Sequence, residues 1–161
     1  MRKALQQAVR VRDEYRCRYC SITEIDIGST MTIDHIQPQR QSGIDELNNL
    51  VYCCHPCNEF KSKYWQTDPD LRLLNPLIDD MTEHYQEQSD GTLLALTERG
   101  TKHIAVLHLN RERLIAHRAR NLRYSAREVY VQNVEVHVTD LEEEVRQLRR
   151  QLKKLFGDPD D

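Results

Sequence analysis

Residues 53–61 read CCHPCNEFK, which places three cysteines, a histidine, an asparagine and a lysine within nine positions. Such a cluster holds a metal ion, forms disulfides or carries out chemistry. The spacing of the cysteines along the chain indicates which of these functions applies. Cys54 and Cys57 form a C-x2-C pair, and Cys17 and Cys20 form a second pair upstream. Two such pairs supply the four thiolates of a tetrahedral structural zinc site, although sulfur ligation of this geometry also admits iron.

The composition favours metal ligation over disulfides. Of 161 residues, 39% are apolar and 30% are charged, which favours a small metal-stapled core with solvated helices. No apolar run approaches the ~20 residues of a membrane helix, and residues 1–20 lack the apolar stretch of a secretory signal. We therefore expect a cytoplasmic protein with reduced thiols. Cys53, the odd cysteine, is expected to be a buried apolar residue rather than a ligand.

The charge distribution allows two interpretations. The net charge is −3, yet six Lys and Arg stand against two acids in residues 1–20 and again in residues 111–128. Two basic segments favour a local phosphate-binding face. Solvated helix surfaces explain the same charges equally well.

The hydrophobic pattern predicts an α+β protein. Short apolar runs with proline or polar boundaries predict strands, and Asp90-Gly91 predicts the turn of a β-hairpin. Asn110 is a candidate helix cap. The predicted elements are a helix at 1–14, strands at 30–38 and 50–54 around a loop at 37–49, a helix at 58–65, a connector at 68–76, a hairpin at 83–100 and two helices between 101 and 123.

The C-terminal segment is the most periodic part of the sequence. Its apolar residues recur at alternating spacings of three and four, with mostly β-branched a positions and mostly Leu d positions, which favours a parallel two-stranded coiled coil. A single amphipathic helix packed on its own protein is the alternative. Residues 129–138 also alternate like a strand, and Thr139 with Glu142 resembles a capping box that would start the helix there. The a positions are Val131, Val138, Val145 and Leu152, and the d positions are Val134, Leu141, Leu148 and Leu155.

Between the two cysteine pairs lie DHIQP (34–38) and NNL (48–50), and the second pair continues as CNEFK. The ordered pattern C-x2-C, D-H-I-x-P, a glycine-bearing loop, N-L and C-x2-C-N-x2-K resembles the HNH endonuclease family over residues 15–65. The resemblance implies a ββα-metal fold, in which a hairpin and a helix hold the site. Two departures are an asparagine at the final position, where many members have histidine, and Ser42-Gly43 in place of paired glycines.

The resemblance also implies roles for individual residues. The general base falls on His35, and the ligands of a catalytic Mg²⁺ or Mn²⁺ fall on Asp34 and Asn58. Asn49 falls on the middle asparagine, which helps to hold the histidine. The residue types suit hydrolysis, since histidine titrates near neutral pH and Mg²⁺ prefers oxygen ligands. Because Asp34 and His35 are neighbours on a strand, a bend or bulge is expected there.

These expectations define a DNA-cutting enzyme, with RNA not excluded as substrate. A weaker resemblance of residues 73–118 to a module that follows the HNH core in short bacterial proteins names no chemistry. Two alternatives are a nuclease subunit of a larger complex, such as a defence complex, and a zinc-stabilised nucleic-acid-binding module without catalysis.

A homodimer or a partner protein would bind through residues 131–155. The expected phosphate contacts are Lys61, Lys63, Arg18 and Arg40, and the expected divisions are 1–67 (nuclease core), 68–124 (hairpin and helices), 125–156 (C-terminal helix) and 157–161 (tail).

Overall fold

A computed structural model describes residues 2–156, with side chains through residue 154. The predicted tail at 157–161 and the side chain of Leu155 lie outside the described residues. The chain divides into two compact units, Met1–Ala119 and Arg120–Asp161, and each is described here by itself. Within the described residues, no helix is both long enough and apolar enough to cross a membrane.

The described elements combine helices with short strands, as predicted for an α+β protein. Among residues 2–156, 3-10 turns at Gln39–Gln41, Leu47–Asn49, Pro69–Leu71 and Met81–Glu83 lie in the connections. The α-helices and strands are α1 Lys3–Arg12, α2 Glu24–Ile27, β1 Thr32–His35, β2 Leu50–Cys53, α3 His55–Lys61, β3 Tyr85–Glu87, β4 Leu93–Ala95, α4 Glu98–Val106 and α5 Glu112–Phe156.

The first sheet forms the platform of the site. Strands β1 and β2 pair antiparallel, with Thr32 opposite Cys53 and His35 opposite Leu50. Every residue of β2 is buried, so this strand lies in the core of the first unit, together with Val9 of α1 and Leu107 beyond α4. The ladder is regular through His35, so the bend or bulge expected at this strand end is not observed.

Helix α3 begins earlier than its sequence pattern predicts. The sequence pattern predicts a helix over 58–65, whereas α3 spans His55–Lys61. Cys54 is its N-cap residue and Pro56 lies in its first turn, where a missing N–H costs nothing. Ser62, with φ of 46°, ends it. Asn58 is therefore the fourth residue of the helix, rather than a residue at its start.

The predicted hairpin is confirmed, and the predicted cap after it is not. Strands β3 and β4 pair around the Asp90-Gly91 turn, with Tyr85 opposite Ala95. Asn110 does not cap α5, which begins at Glu112; its side chain instead accepts from the N–H of Leu93 at 2.7 Å and donates to the Leu93 carbonyl at 2.9 Å. The amide thus extends the edge of the hairpin.

In the part that the structure describes, the second unit consists of helix, without the strand that residues 129–138 also resembled. Helix α5 runs through Glu112–Phe156. Thr139 does not start a helix, because its hydroxyl donates to the Glu135 carbonyl at 2.9 Å inside the helix. Every described side chain from residue 120 to residue 154 is exposed, including the heptad positions from Val131 to Leu152.

Candidate active site and metal centre

The two cysteine pairs meet at one point of the first unit. The sulfur atoms of Cys17, Cys20, Cys54 and Cys57 all lie within 4.8 Å of one another, and all four residues are buried. The first pair lies in the turn that follows α1, where the N–H of Ser21 donates to the carbonyl of Cys17 at 2.8 Å. The second pair straddles the start of α3.

This tetrad fits a four-coordinate metal ion. The Cys20 and Cys54 sulfurs are 3.7 Å apart, close to the ~3.8 Å expected between two thiolates of a tetrahedron with ~2.3 Å metal–sulfur bonds. Burial raises the pKa of the Cys17 thiol well above its ordinary value, so a cation is needed to hold it as a thiolate. Cys53 is buried and stands outside the tetrad, as its spacing predicted.

Arg111 contacts the tetrad from a distant part of the sequence. Its Nη2 donates toward Cys57 Sγ at 3.4 Å and lies 3.9 Å from Cys54 Sγ, while its guanidinium lies 5.5 Å from the centre of the Phe60 ring. Four thiolates around a divalent ion would carry a net charge of −2. The positive charge of the Arg111 guanidinium would partly offset it. The sequence does not indicate this role of Arg111, because the residues around it form no pattern that links them to a cysteine 54 residues away.

His35 stands at the end of β1 with an acidic partner. Its Nε2 is 2.7 Å from Oδ1 of Asp45, and the hydrogen bond lowers the pKa of that carboxyl. A carboxylate only accepts hydrogen bonds, so Nε2 carries the proton and the lone pair of the neutral ring lies on Nδ1. Asp45 is an orienting group that sequence reasoning missed, since an acid in a polar loop carries no distinguishing signal.

Asn49 fixes the loop that separates His35 from Asp45. Its Oδ1 accepts from the N–H of Gln37 at 2.8 Å, and its Nδ2 donates to the carbonyls of Gln37 at 3.1 Å and of Ile44 at 3.0 Å. One amide thereby ties the residue two places after His35 to the residue just before Asp45. Gly43 makes this closure possible, because a Cβ there would lie 1.7 Å from the Gln37 carbonyl oxygen.

Asp34 faces the interior, on the side of the strand opposite His35. Its Oδ2 accepts from the Tyr19 hydroxyl at 2.7 Å and lies 2.9 Å from Nζ of Lys61. The same ammonium donates to the carbonyl of His35 at 2.7 Å. A carboxylate this buried requires such partners, and Lys61 provides the charge.

Lys61 therefore differs from the surface position expected of a phosphate contact. Only 3% of it is exposed, and its ammonium is committed to Asp34 and His35. Its role in this structure is to join α3 to β1. Asn58 lies one turn earlier on α3, and its side-chain amide has no hydrogen-bond partner among the described residues. Residues three apart share one helix face, so Asn58 is placed toward β1.

The three expected arginine and lysine contacts on the surface differ from one another. Arg18 is occupied, because its Nη2 donates to the Pro76 carbonyl at 2.6 Å. Arg40 lies in the loop after His35 and is exposed. Lys63 lies just beyond α3 and is also exposed. Arg40 and Lys63 thus remain accessible to a phosphate, whereas Arg18 holds the connector.

Part of the segment that carries this site matches a known protein family. Residues 17–63 match the model of the HNH endonuclease family, a segment that begins at the first zinc-knuckle cysteine and contains His35, Asn49 and Asn58. Over residues 17–63 the chain is thus similar to the HNH endonuclease domain.

A longer alignment relates the chain to a protein of Bacillus mycoides (strain KBAB4). It is similar to the Septu protein PtuB of that organism, with 25% identity over 137 residues, which cover 65% of this chain. The chain spans 46% of that relative's length. No solved structure matches the chain.

Proposed function

We propose that this protein is a metal-dependent endonuclease that hydrolyses DNA phosphodiester bonds, with His35 as general base. The 2.7 Å contact between His35 and Asp45, inside the segment that matches the HNH family, carries the proposal. A histidine whose second nitrogen is held by a carboxylate is a common arrangement for accepting a proton from a nucleophile.

The reaction needs a water molecule, a base and charge stabilisation. Nδ1 of His35 accepts a proton from water as its oxygen attacks phosphorus, and Asp45 stabilises the imidazolium that forms. The phosphorus–O3′ bond breaks, which leaves a 5′-phosphate and, once O3′ takes up a proton, a 3′-hydroxyl. Asn49 keeps the base and its carboxylate in register through the loop backbone.

A divalent ion, Mg²⁺ or Mn²⁺, would be held by Asp34 and Asn58. Because Asp34 and His35 lie on opposite sides of the regular strand β1, the strand end would have to bend for this ion and the base to act on one phosphate. Asp34 and Asn58 both offer oxygen donors, which hard cations prefer, and the Asn58 amide lacks a partner among the described residues. When bound, such an ion stabilises negative charge on the scissile phosphate and the leaving oxygen. The Asp34 carboxylate is shared with Lys61, so ligation there competes with an internal ion pair. The tetrad of cysteines holds a separate, structural zinc ion.

A plasmid assay tests the reaction class. Supercoiled DNA is incubated with the zinc-loaded protein and Mg²⁺, Mn²⁺ or EDTA, and a structured RNA is run in parallel. We expect nicked or linear DNA with either metal and none with EDTA. Cutting of RNA alone would correct the substrate. Failure to cut either nucleic acid under every condition would contradict the proposal for the isolated chain.

A second candidate is a nuclease subunit that assembles through α5. The observation that favours it is the exposure of the heptad stripe, from Val131 at 44% to Leu148 at 58%. Glu144 and Arg149 fall on g and following e positions, where they would pair between two parallel chains. We propose that a second copy of this chain covers the stripe, and a partner protein with a matching heptad is the other outcome of the test given in the Discussion.

A further inference from the structure

A cavity of about 370 Å³ lies beside the loop that follows His35. We call it the loop cavity. Its size falls within the range of small-ligand sites. Ile36 and Gln37, the two residues directly after His35, form part of its wall, so it lies next to the proposed base. Its remaining lining residues are Ser42, Gly43, Ile44, Glu46, Asn48, Asn49, Trp65 and Asn75.

The lining of the loop cavity includes an aromatic ring that is covered by a cation. Trp65 is half-buried, and the guanidinium of Arg72 lies 4.3 Å from the centre of its ring. Arg72 is itself fixed, because it donates to the carbonyls of Gln66 at 2.8 Å and Thr67 at 2.7 Å. A ring held in this way loses little conformational entropy when a flat ligand stacks on it.

The cavity also carries amide groups that are free to bind a ligand. Asn48 makes no side-chain hydrogen bond within the described residues, and the Nδ2 of Asn75 has no partner among them either, although its Oδ1 accepts from Leu77 N–H at 3.0 Å. Asn49 differs, since its amide is fully used by the loop. Free amides combine donors and acceptors and therefore match the edges of nucleobases.

The charge of the lining excludes a phosphate as the ligand. No Lys or Arg lines the loop cavity, and its one charged lining residue is Glu46. Phosphate contacts require cations or clustered N–H donors. An aromatic wall, neutral amides and a carboxylate instead suit a base, which has a π-face and hydrogen-bonding edges.

We propose that the loop cavity takes one unpaired nucleobase of the substrate strand, next to the scissile phosphate, stacked on Trp65 and contacted by Asn48 and Asn75. This inference rests on the proposed nuclease function. It identifies the substrate as a strand that is single, or is opened at one nucleotide, where cutting occurs.

Trp65 is the single tryptophan of the chain and so reports on its own site. The zinc-loaded His35→Ala protein, which cannot cut, is titrated with a 12-nucleotide oligothymidylate and with a 12-unit abasic oligomer. Fluorescein anisotropy measures binding, and tryptophan emission measures stacking in parallel unlabelled titrations. We expect quenching that saturates with oligothymidylate and is absent with the abasic oligomer, which binds roughly 5- to 100-fold more weakly.

Variants separate the cavity from general nucleic-acid binding. Asn48→Ala, at an exposed position, is expected to weaken oligothymidylate binding and leave abasic binding unchanged. The matched control Asn133→Ala removes an exposed amide in the second unit and should change neither. Trp65→Phe should retain stacking and most of the affinity.

The outcomes distinguish this inference from the function on which it rests. Binding of oligothymidylate without a change in tryptophan emission, or equal affinity for both oligomers, would overturn the loop-cavity assignment and leave the nuclease proposal standing. Failure of both oligomers to bind, together with wild-type protein that cuts neither DNA nor RNA, would overturn the proposed function and the assignment with it.

Discussion

Asp45 orients the imidazole ring of His35 through a hydrogen bond. Asp45→Asn keeps the shape and removes the charge that stabilises an imidazolium, so we expect the turnover rate of cleavage to fall roughly 10- to 100-fold, with KM little changed. Single-turnover and multiple-turnover rates measure this split. Glu59→Gln on α3, an exposed acid, serves as the control. A rise in KM with an unchanged turnover rate would instead assign Asp45 to substrate binding.

His103 makes the first unit sensitive to acid. It is 1% exposed beside the Tyr85 ring, and burial lowers its pKa from 6.5 to about 4, with Asp79 opposing and His84 and Arg99 adding to the shift. Between pH 6.5 and 4 the unfolded chain binds a proton that the folded chain does not, so stability falls as the pH falls through this window. The effect is at most about 3 kcal/mol.

Chemical denaturation at pH 7 and pH 4.5, in zinc-containing buffer, measures this loss. His103→Phe keeps an aromatic ring and should lose less stability than the wild type between the two pH values, whereas His137→Phe, at an exposed position, should match the wild type. Zinc release in acid affects all three proteins, so the difference between variants carries the result. Equal losses in all three would refute the role of His103.

At the residue scale, the sequence predicts those groups whose chemistry depends on short spacings between neighbouring residues. The cysteine tetrad follows from two C-x2-C pairs, and it is confirmed by sulfurs that converge within 4.8 Å. Contacts between distant segments leave no such pattern. Lys61 resembles a surface lysine in sequence, and only the packing of α3 on β1 makes it an internal partner of Asp34.

At the scale of elements, α5 carries the clearest prediction. Leu141→Gln with Leu148→Gln places two amides in the apolar stripe, so self-association should weaken by at least 10-fold. Light scattering and sedimentation at micromolar concentration measure it. Val129→Gln with Val136→Gln is the matched control, because these exposed valines lie outside the a and d positions. A wild-type monomer would contradict the second-copy proposal and favour a partner protein.

Element boundaries show what local pattern can and cannot predict. The strands and the hairpin follow from alternation and from turn residues, and the structure confirms them. The predicted start of α3 is wrong by three residues, because the segment around the second cysteine pair itself forms the first turn of the helix. Thr139 and Asn110 resemble helix caps, yet a continuous helix and a strand edge use those side chains instead.

At the scale of the whole molecule, the cysteine tetrad brings together two distant segments of the first unit. The tetrad joins the turn after α1 to the start of α3, so we expect one zinc ion per chain and a large fall in melting temperature when a strong chelator removes it. Elemental analysis and thermal denaturation measure both. Cys54→Ala should lose the metal and Cys53→Ala should keep it, although both are buried neighbours. Retention by Cys54→Ala would contradict the ligand assignment.

We propose that His35 activates water in the first unit, next to the core that the cysteine tetrad joins. The most direct measurement compares single-turnover DNA cleavage by the wild type, His35→Ala and the exposed control His137→Ala, in Mg²⁺, at equal zinc content and melting temperature. We predict at least a roughly 100-fold loss for His35→Ala and none for the control. Cleavage by His35→Ala at the wild-type rate would contradict the assignment of His35 as the general base.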